Sequence, residues 1–204
     1  MRSALAVPVL CVALLAGCSD DDPPADESED VQSPSAESDS PADPDTDTSP
    51  TDAGPPELPD PCEVVSPEDV GAAFGVAFSA PDPGSGERSE QGVEWVSRDC
   101  SWEAEDLMEV ELALTGSEDF AAGELVCPPL LGIGAEVSDA RLPGASSAEV
   151  AVQDGVGLEV LARVCTDGGN FDIEVEFEDG VDFQGDPGQQ VLRLARTVLS
   201  GLSR

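Results

Sequence analysis

Cysteine is the residue whose chemistry and spacing are most informative in this chain. Cys18 follows Leu-Ala-Gly, and a small residue directly before a cysteine is the pattern of a lipobox. In a lipobox the thiol becomes a thioether to diacylglycerol, and cleavage leaves the cysteine as the first residue of the mature chain. Residues 1–17 combine Arg2 with an apolar run too short to span a bilayer, as in a secretory signal peptide. The sequence therefore predicts an exported protein with a lipid on Cys18, and an ordinary signal peptide with a nearby cysteine is the alternative.

Four further cysteines lie in the part of the chain that follows the anchor. Their even number in an exported chain predicts two disulfides, and their wide spacing without a C-x-x-C pair argues against a metal site. Three connectivities are possible, and the spacing does not choose among them. We predict the sequential pairing, which would join the first helix to the strand of Trp102 and the central loop to the strands that follow it. The predicted disulfides are Cys62 with Cys100 and Cys127 with Cys165.

Carboxylates are the other abundant reactive groups, and they dominate the composition. The 204 residues include 44 Asp and Glu against 8 Arg, with no Lys, His or Tyr, for a net charge of −36. Such a chain cannot neutralise phosphates, so nucleic acid is excluded as a partner. Ser-His-Asp and Ser-Lys arrangements are impossible, and the commonest zinc ligand is missing. We therefore expect no enzyme activity, no cofactor and no metal.

Two alternatives would use the carboxylates directly. A pair of carboxylates can hydrolyse glycans, but one of them needs a pKa raised by its surroundings, and no carboxylate here has an evidently apolar sequence setting. The acidic run from Phe177 to Asp186 could hold calcium, although it lacks the regular spacing of known calcium loops. A carboxylate-dependent envelope glycan hydrolase and a calcium-binding envelope protein remain the alternative functions.

An acidic segment separates the predicted anchor from the rest of the chain. From Ser19 to Asp60 the sequence has fifteen acids, no base and almost no large apolar residue. Such a segment cannot bury enough surface to offset its ordering entropy, so we predict a disordered, self-repelling tether. The chain then divides into a signal peptide (1–17), a lipidated tether (18–61) and a folded domain (62–204), which would lie at the outer face of the cytoplasmic membrane.

Helix signals occur near both ends of the domain. Ser66 precedes Pro67, and Asp69 stands where a capping box places a carboxylate. Asp186 and Pro187 likewise begin a closing helix with an apolar stripe on one side. The predicted helices run from Ser66 to Gly75, from Ser117 to Cys127 and from Asp186 to about Leu202.

Strand signals fill the sequence between the helices. From Leu107 to Thr115 apolar and acidic residues alternate, which is the period of a strand with one buried face. Strands are also expected from Val93 to Glu103 and from Val137 to Leu142, whereas Ala80 to Gly92, rich in Pro, Gly and Ser, predicts a loop. These elements predict a single α+β domain in which an antiparallel sheet of five or six strands packs against N- and C-terminal helices, with two disulfides.

The last three strands form a meander whose registers follow from keeping apolar residues opposite one another. A three-residue turn ending at Gly155 would pair Val150 with Leu158, and a two-residue Asp-Gly turn would pair Ala162 with Ile173. The other face of the last strand is acidic and is expected to face solvent. Its residues are Asp172, Glu174, Glu176 and Glu178.

Four short motifs occur in a fixed order along the domain. They are Asp60-Pro61-Cys62, Ser66-Pro67-Glu68, Cys100-Ser101-Trp102 and Gly132-Ile133-Gly134-Ala135. Followed by the meander, they resemble an uncharacterised family of lipoproteins exported by actinobacteria, over about residues 60–204. The resemblance implies a lipid-anchored envelope domain and carries no catalytic residue across. A weaker similarity to the extracellular sensor domains of actinobacterial receptor kinases implies ligand sensing.

The leading expectation is a membrane-anchored, non-enzymatic binding or accessory module. Its partners would be the membrane, through the lipid on Cys18, and an envelope ligand or protein whose identity the sequence leaves open. Trp95 and Trp102 could line an apolar groove, although burial in the core is the favoured interpretation. The glycine pair Gly132 and Gly134 is interpreted as a turn, since no Lys follows it as in a phosphate-binding loop.

Overall fold

The computed structural model describes residues 57–204, apart from 132–133, 155–156 and 182. The described residues form one domain with three helices and a seven-stranded antiparallel sheet, whose strand order is β1-β2-β3-β7-β6-β5-β4. The sheet therefore has more strands than the five or six expected. The helices are α1 (Pro61–Val64), α2 (Pro67–Phe74) and α3 (Pro187–Leu202), and the strands are β1 (Asp82–Glu90), β2 (Val93–Ala104), β3 (Met108–Thr115), β4 (Glu136–Asp139), β5 (Ser147–Asp154), β6 (Leu158–Cys165) and β7 (Asn170–Phe177).

Strand β1 was not predicted from the sequence. It lies where a loop was predicted, and it pairs with β2 along its whole length, from Asp82 opposite Ser101 to Glu90 opposite Val93. A proline is tolerated in an edge strand, where the missing N–H can point away from the paired neighbour, and β1 is at the edge of the sheet. The edge position of β1 thus permits the Pro and Gly residues that would be unfavourable in a central strand.

One face of the sheet packs against the helices and forms the core. The apolar residues of β3 predicted to share a face, Met108, Val110, Leu112 and Leu114, are all buried there. They pack in one cluster with alternate residues of β2, β5, β6 and β7 and with the apolar faces of α2 and α3. Trp102 on β2 belongs to this core, which confirms the predicted burial of that residue.

The helix ends follow the predicted capping chemistry. The Ser66 side chain accepts from the Asp69 backbone N–H at 3.2 Å, and the Asp69 carboxylate accepts from the Ser66 N–H at 3.1 Å. Gly75 ends α2 in the left-handed region, with φ 81°. At α3 the Asp186 carboxylate accepts from the Gln189 N–H at 3.0 Å. The structure thus confirms the predicted caps of α2 and α3.

The two registers of the meander have different outcomes. The β6–β7 register is as predicted, with Ala162 opposite Ile173. The β5–β6 register is wrong, because Val150 lies opposite Ala162 rather than Leu158. Both registers keep the apolar residues on one face, so alternation cannot distinguish them. The observed register places Glu149 opposite Arg163, whereas the predicted one would have set it against another glutamate.

Residues 116–131, here called the covering segment, cross the face of the sheet that lies away from the helices. The helix predicted from Ser117 to Cys127 is wrong, since only a 3-10 turn forms over Ser117–Asp119. Phe120 instead makes an isolated bridge to Trp95 of β2, and Gly123 takes a left-handed φ of 68°. This left-handed glycine and the pairing of Phe120 with the sheet are incompatible with a continuous helix.

Two disulfides connect the peripheral segments to the sheet. Cys62 pairs with Cys100, joining α1 to β2, and Cys127 pairs with Cys165, joining the covering segment to β6. Their Cα atoms are 5.2 and 6.0 Å apart, within the normal range for a disulfide. The predicted sequential pairing is confirmed, and the two disulfides indicate an extracytoplasmic domain.

Candidate functional site

The covering segment protects only part of the second face of the sheet. Several hydrogen bonds hold it to that face, including those from the Leu130 N–H to Glu149 at 2.8 Å, from Asn170 to the Val126 carbonyl at 2.6 Å, and from Arg163 to the Pro128 carbonyl at 3.0 Å. Within residues 57–204, the part of the second face at β3 and β7 keeps partial solvent exposure, with 32% for the Glu111 side chain and 29% for that of Glu174. It carries a group of acidic side chains around one arginine.

We call this group the carboxylate cluster. In β3 and β7 the core residues alternate with acids, so the acids of both strands point to the second face. The register places Glu109 directly opposite Glu176 and Glu111 directly opposite Glu174. The cluster consists of Asp99, Glu109, Glu111, Glu174 and Glu176, together with Arg88 from β1.

Arg88 is the only cation in the cluster. Its guanidinium forms an ion pair and hydrogen bond with Glu111, and a second nitrogen lies 3.9 Å from Glu174. The two ion-pairing distances differ, so Glu111 is well paired and Glu174 only weakly. One arginine therefore serves several carboxylates.

Asp99 is close enough to Arg88 for their charges to attract, and it is almost fully buried. Only 8% of the residue is exposed, and its Oδ1 atom has no hydrogen-bond partner. A Cβ placed on Gly86 would be 3.3 Å from Asp99 Oδ2 and 3.8 Å from Arg88 Nε, so the missing side chain there gives both groups space. A buried carboxylate oxygen without a donor is costly and therefore unusual in a folded protein.

The surroundings of the cluster change the acidity of its members. Burial raises the pKa of Glu174 to about 7, and repulsion from Glu111, Glu159 and Glu176 adds to this effect, while Arg88 opposes it. Burial also raises the pKa of Glu111, because burial and the nearby acids outweigh the attraction of Arg88. The expectation that no carboxylate has surroundings that raise its pKa is therefore wrong for both Glu174 and Glu111.

The cluster also encloses space. A shallow cavity of about 270 Å³ is lined by Arg88 and four carboxylates, Glu109, Glu111, Glu174 and Glu176. Glu174 retains 29% of its side-chain exposure and Glu111 retains 32%, so a small ligand could reach both. Chemically, this site offers several hydrogen-bond acceptors and a strong excess of negative charge.

A second ion-pair group, around Arg163, has the features of a structural element. Arg163 is 4% exposed and donates to both oxygens of Asp172, at 2.9 and 2.8 Å, and to Glu90 at 2.6 and 3.1 Å. Its guanidinium also lies 5.5 Å from the Trp95 ring, which is buried against Phe120. Arg163 thereby joins β1, β6, β7 and the covering segment. Asp172 is therefore paired with Arg163, and the prediction that it faces solvent is wrong.

The residues predicted from sequence are distributed differently. Trp102 is buried in the core, whereas Trp95, although only 6% exposed, lines a cavity of about 580 Å³ together with Phe120 and several acidic residues. Asp186, within the proposed calcium run, caps α3, and no group of three or more His, Cys, Asp or Glu among the described residues is placed to hold a metal ion. The signal peptide, Cys18 and nearly all of the tether lie outside the described residues, as do Gly132, Ile133 and Asp182. In the part of the chain that the structure covers, no helix is long and apolar enough to cross a membrane.

The carboxylate cluster was not predicted from the sequence. The alternating acids of β3 and β7 were recognised, but they were interpreted as a solvated face. Arg88 lies in the strand that was predicted as a loop, and Asp99 carries no local signal of burial. The usable signal was the acidic alternation on two strands together, because paired strands bring such residues opposite one another.

Comparison of the chain with protein-family models, with curated proteins and with solved structures found no match.

Proposed function

We propose that this chain is an exported lipoprotein whose folded domain is a non-enzymatic binding module, held at the outer face of the cytoplasmic membrane by a lipid on Cys18. The lipobox before Cys18 and the acidic composition of residues 18–61 support the anchor and the tether. The two disulfides support the extracytoplasmic location. The proposed role is to hold a binding surface away from the membrane.

The binding surface in this proposal is the carboxylate cluster. The observation that carries it is the meeting of two acidic rows, Glu109 opposite Glu176 and Glu111 opposite Glu174, beside a single arginine. Like charges directly opposite one another destabilise a sheet, and a domain that keeps such a conflict is typically keeping it for a function. The excess of negative charge favours a ligand that is positively charged.

A second candidate function is supported by the raised pKa of Glu174. A carboxylic acid with a pKa of about 7 can donate a proton at neutral pH, which is what a carboxylate-dependent glycan hydrolase requires of its acid. The cavity at the cluster, however, is only about 270 Å³, which is small for a site that holds a glycan chain. Turnover of an envelope glycan that is lost in Glu174→Gln would favour the hydrolase over the binding module.

The anchor is tested by labelling cells that express the protein with a radiolabelled fatty acid. The wild-type chain is expected to take up the label and to fractionate with membranes. A Cys18→Ala variant is expected to do neither. Equal labelling of both proteins would refute the lipid anchor.

The binding role is tested by thermal-shift screening against envelope glycans, envelope lipids, peptides and small organic cations. A ligand that raises the melting temperature of the wild-type protein is then tested with the double variant E111Q/E174Q and with the matched control E63Q/E68Q. The control removes two exposed carboxylates of α1 and α2, on the opposite side of the sheet from the cluster. The proposal requires that only the cluster variant loses the shift, and a screen without any ligand would contradict it.

A further inference from the structure

We propose that the disulfide between Cys127 and Cys165 is a redox latch, which an external dithiol opens while the sheet stays folded. Opening the latch frees the middle of the covering segment and makes the sheet surface beneath it accessible. The inference goes beyond the proposed binding role, because it concerns the second disulfide and not the carboxylate cluster.

The two disulfides differ in how well they are protected. Cys100 is fully buried in the core, and its partner Cys62 is half-buried and packs against that core. In the second disulfide Cys165 is only 2% exposed, whereas Cys127 is an exposed residue. A thiolate must reach a sulfur atom to open a disulfide, so access decides which disulfide is reduced first. Of the four paired cysteines, Cys127 is the one that offers such access.

The chain around Cys127 is only loosely packed on the sheet. Residues 121–127 form no helix or strand, and they are exposed apart from the half-buried Leu125. Phe120 and Pro128, at the two ends of this stretch, are buried. A stretch with few buried apolar contacts opens at a low cost in free energy. The disulfide therefore supplies the constraint that packing does not.

The first disulfide has a different setting. Cys62 lies in α1, and the residues that follow it, Val64 and Val65, belong to the core. The Val64 carbonyl also lies close to α3, only 2.7 Å from the position of a Cβ on Gly201. Loss of this disulfide therefore leaves α1 held by packing.

The latch holds two carbonyl groups against donors of the sheet. Asn170 donates to the Val126 carbonyl at 2.6 Å, and Arg163 donates to the Pro128 carbonyl at 3.0 Å, one on each side of Cys127. Both side chains line the same narrow cavity beneath the segment, and only 4% of Arg163 and 7% of Asn170 is exposed. When the latch opens, these donors lose the acceptors that the segment supplies. The reduced protein thus presents a polar surface that the oxidised protein conceals.

The chemistry is thiol–disulfide exchange with a dithiol, such as that of an exported oxidoreductase. A thiolate of the dithiol attacks Cys127 Sγ, the S–S bond breaks, and Cys165 leaves as a thiolate that takes up a proton. The second thiolate then attacks the reductant's own sulfur in the mixed disulfide, which releases Cys127. The dithiol is thereby oxidised to a disulfide, and its two electrons and two protons pass to the two cysteines. The Ser147 hydroxyl, 3.2 Å from Cys127 Sγ, can donate to the departing Cys127 thiolate.

Selective reduction is tested on the purified full chain with dithiothreitol at neutral pH. Iodoacetamide labelling and peptide mass spectrometry at successive times follow each disulfide separately. We expect Cys127 and Cys165 to be labelled about tenfold faster than Cys62 and Cys100, or more, because access sets the rate. Equal rates, or earlier labelling of Cys62 and Cys100, would overturn the proposal.

Release of the segment is tested by cleavage after Glu124 with a glutamyl endopeptidase, and by hydrogen exchange of the Leu130 amide, which donates to Glu149. We expect C127S/C165S to raise both rates about tenfold over wild type, while the matched control C62S/C100S leaves them within about twofold. The amides of β3 should keep their wild-type protection in C127S/C165S.

Two results in C127S/C165S would contradict the latch. Unchanged cleavage and exchange rates mean that the disulfide does not hold the segment, and loss of protection in β3 means that the whole domain unfolds instead. If C62S/C100S does not fold, wild-type protein reduced only at Cys127 and Cys165 is compared with the fully oxidised protein, and the same two results decide.

Discussion

Replacement of Glu174 by glutamine should stabilise the domain at alkaline pH and leave its stability unchanged at acidic pH. The structure raises the pKa of Glu174 from 4.5 to about 7, chiefly by burial. The folded state therefore keeps the proton between these pH values while the unfolded state releases it. Stability contributed by this group is greatest below pH 4.5 and falls as the pH rises through 7, because the folded protein must then hold a buried charge.

The magnitude follows from the size of the shift. One pKa unit corresponds to about 1.4 kcal/mol, so a shift from 4.5 to about 7 sets an upper limit of about 3.4 kcal/mol. Glu174 keeps 29% of its side-chain exposure, and solvent screening reduces the expected effect to about 2 kcal/mol. Glutamine has nearly the shape of the protonated acid and cannot ionise. Glu174→Gln should therefore gain about 2 kcal/mol over wild type at pH 8 and essentially nothing at pH 4.

Urea denaturation at pH 4, 6 and 8 measures this difference, with an unchanged m value showing that the unfolding transition is comparable. Glu178→Gln is the matched control, because it removes one negative charge from an exposed position on the same side of the protein. Any stabilisation shared by both variants reflects relief of overall repulsion. The reasoning is refuted if the two variants behave alike, or if Glu174→Gln is equally stabilising at pH 4 and pH 8.

Three further predictions concern the elements that hold the fold. Replacing Cys127 and Cys165 with serine opens a link with a sequence separation of 38 and should cost at most about 4 kcal/mol in urea unfolding, while retention of full stability would contradict this role. Arg163→Met leaves the half-buried Asp172 without its partner and should cost about 3 kcal/mol, part of which Asp172→Asn should restore in the double variant. Ser66→Ala removes the acceptor for a backbone N–H of α2 and should lower the unfolding free energy by about 1 kcal/mol, whereas Ser66→Asp should retain it.

The parts of the fold that depend on local chemistry were predictable from the sequence. The caps of α2 and α3 are set by residues within three positions of each helix start, so Ser66 and Asp186 could be identified directly. The core face of β3 follows from alternation within one strand. The disulfide pairing was a choice among three possibilities, and only the positions of the strands in space decide it.

The features that depend on distant partners were not predictable in the same way. The β5–β6 register differs from the expected one without changing which residues face the core, and the contact between Glu149 and Arg163 is what distinguishes the two. Strand β1 forms in a sequence rich in Pro and Gly because its position at the sheet edge removes the usual objection to proline. Both features depend on contacts with other strands, which the local sequence does not identify.

The carboxylate cluster could not be predicted from any one strand. Alternating acids on a strand are usually solvated, and this is how Glu174 was interpreted. The sheet order places β3 beside β7, so that two acidic rows meet, and β1 adds Arg88 from the edge. Repulsion and burial then raise the pKa of Glu174, which no single strand would do.

The most direct test is a carbon-13 NMR titration of the Glu174 side-chain carboxyl in the wild-type protein and in the Glu111→Gln variant. We predict a midpoint near pH 7 in the wild-type protein, because burial and the neighbouring glutamates raise the pKa of Glu174. The midpoint should fall clearly in Glu111→Gln, which removes one repelling charge and leaves Arg88 available to Glu174. A midpoint near pH 4.5 in the wild-type protein, or a midpoint that Glu111→Gln does not lower, would contradict the coupling of these carboxylates.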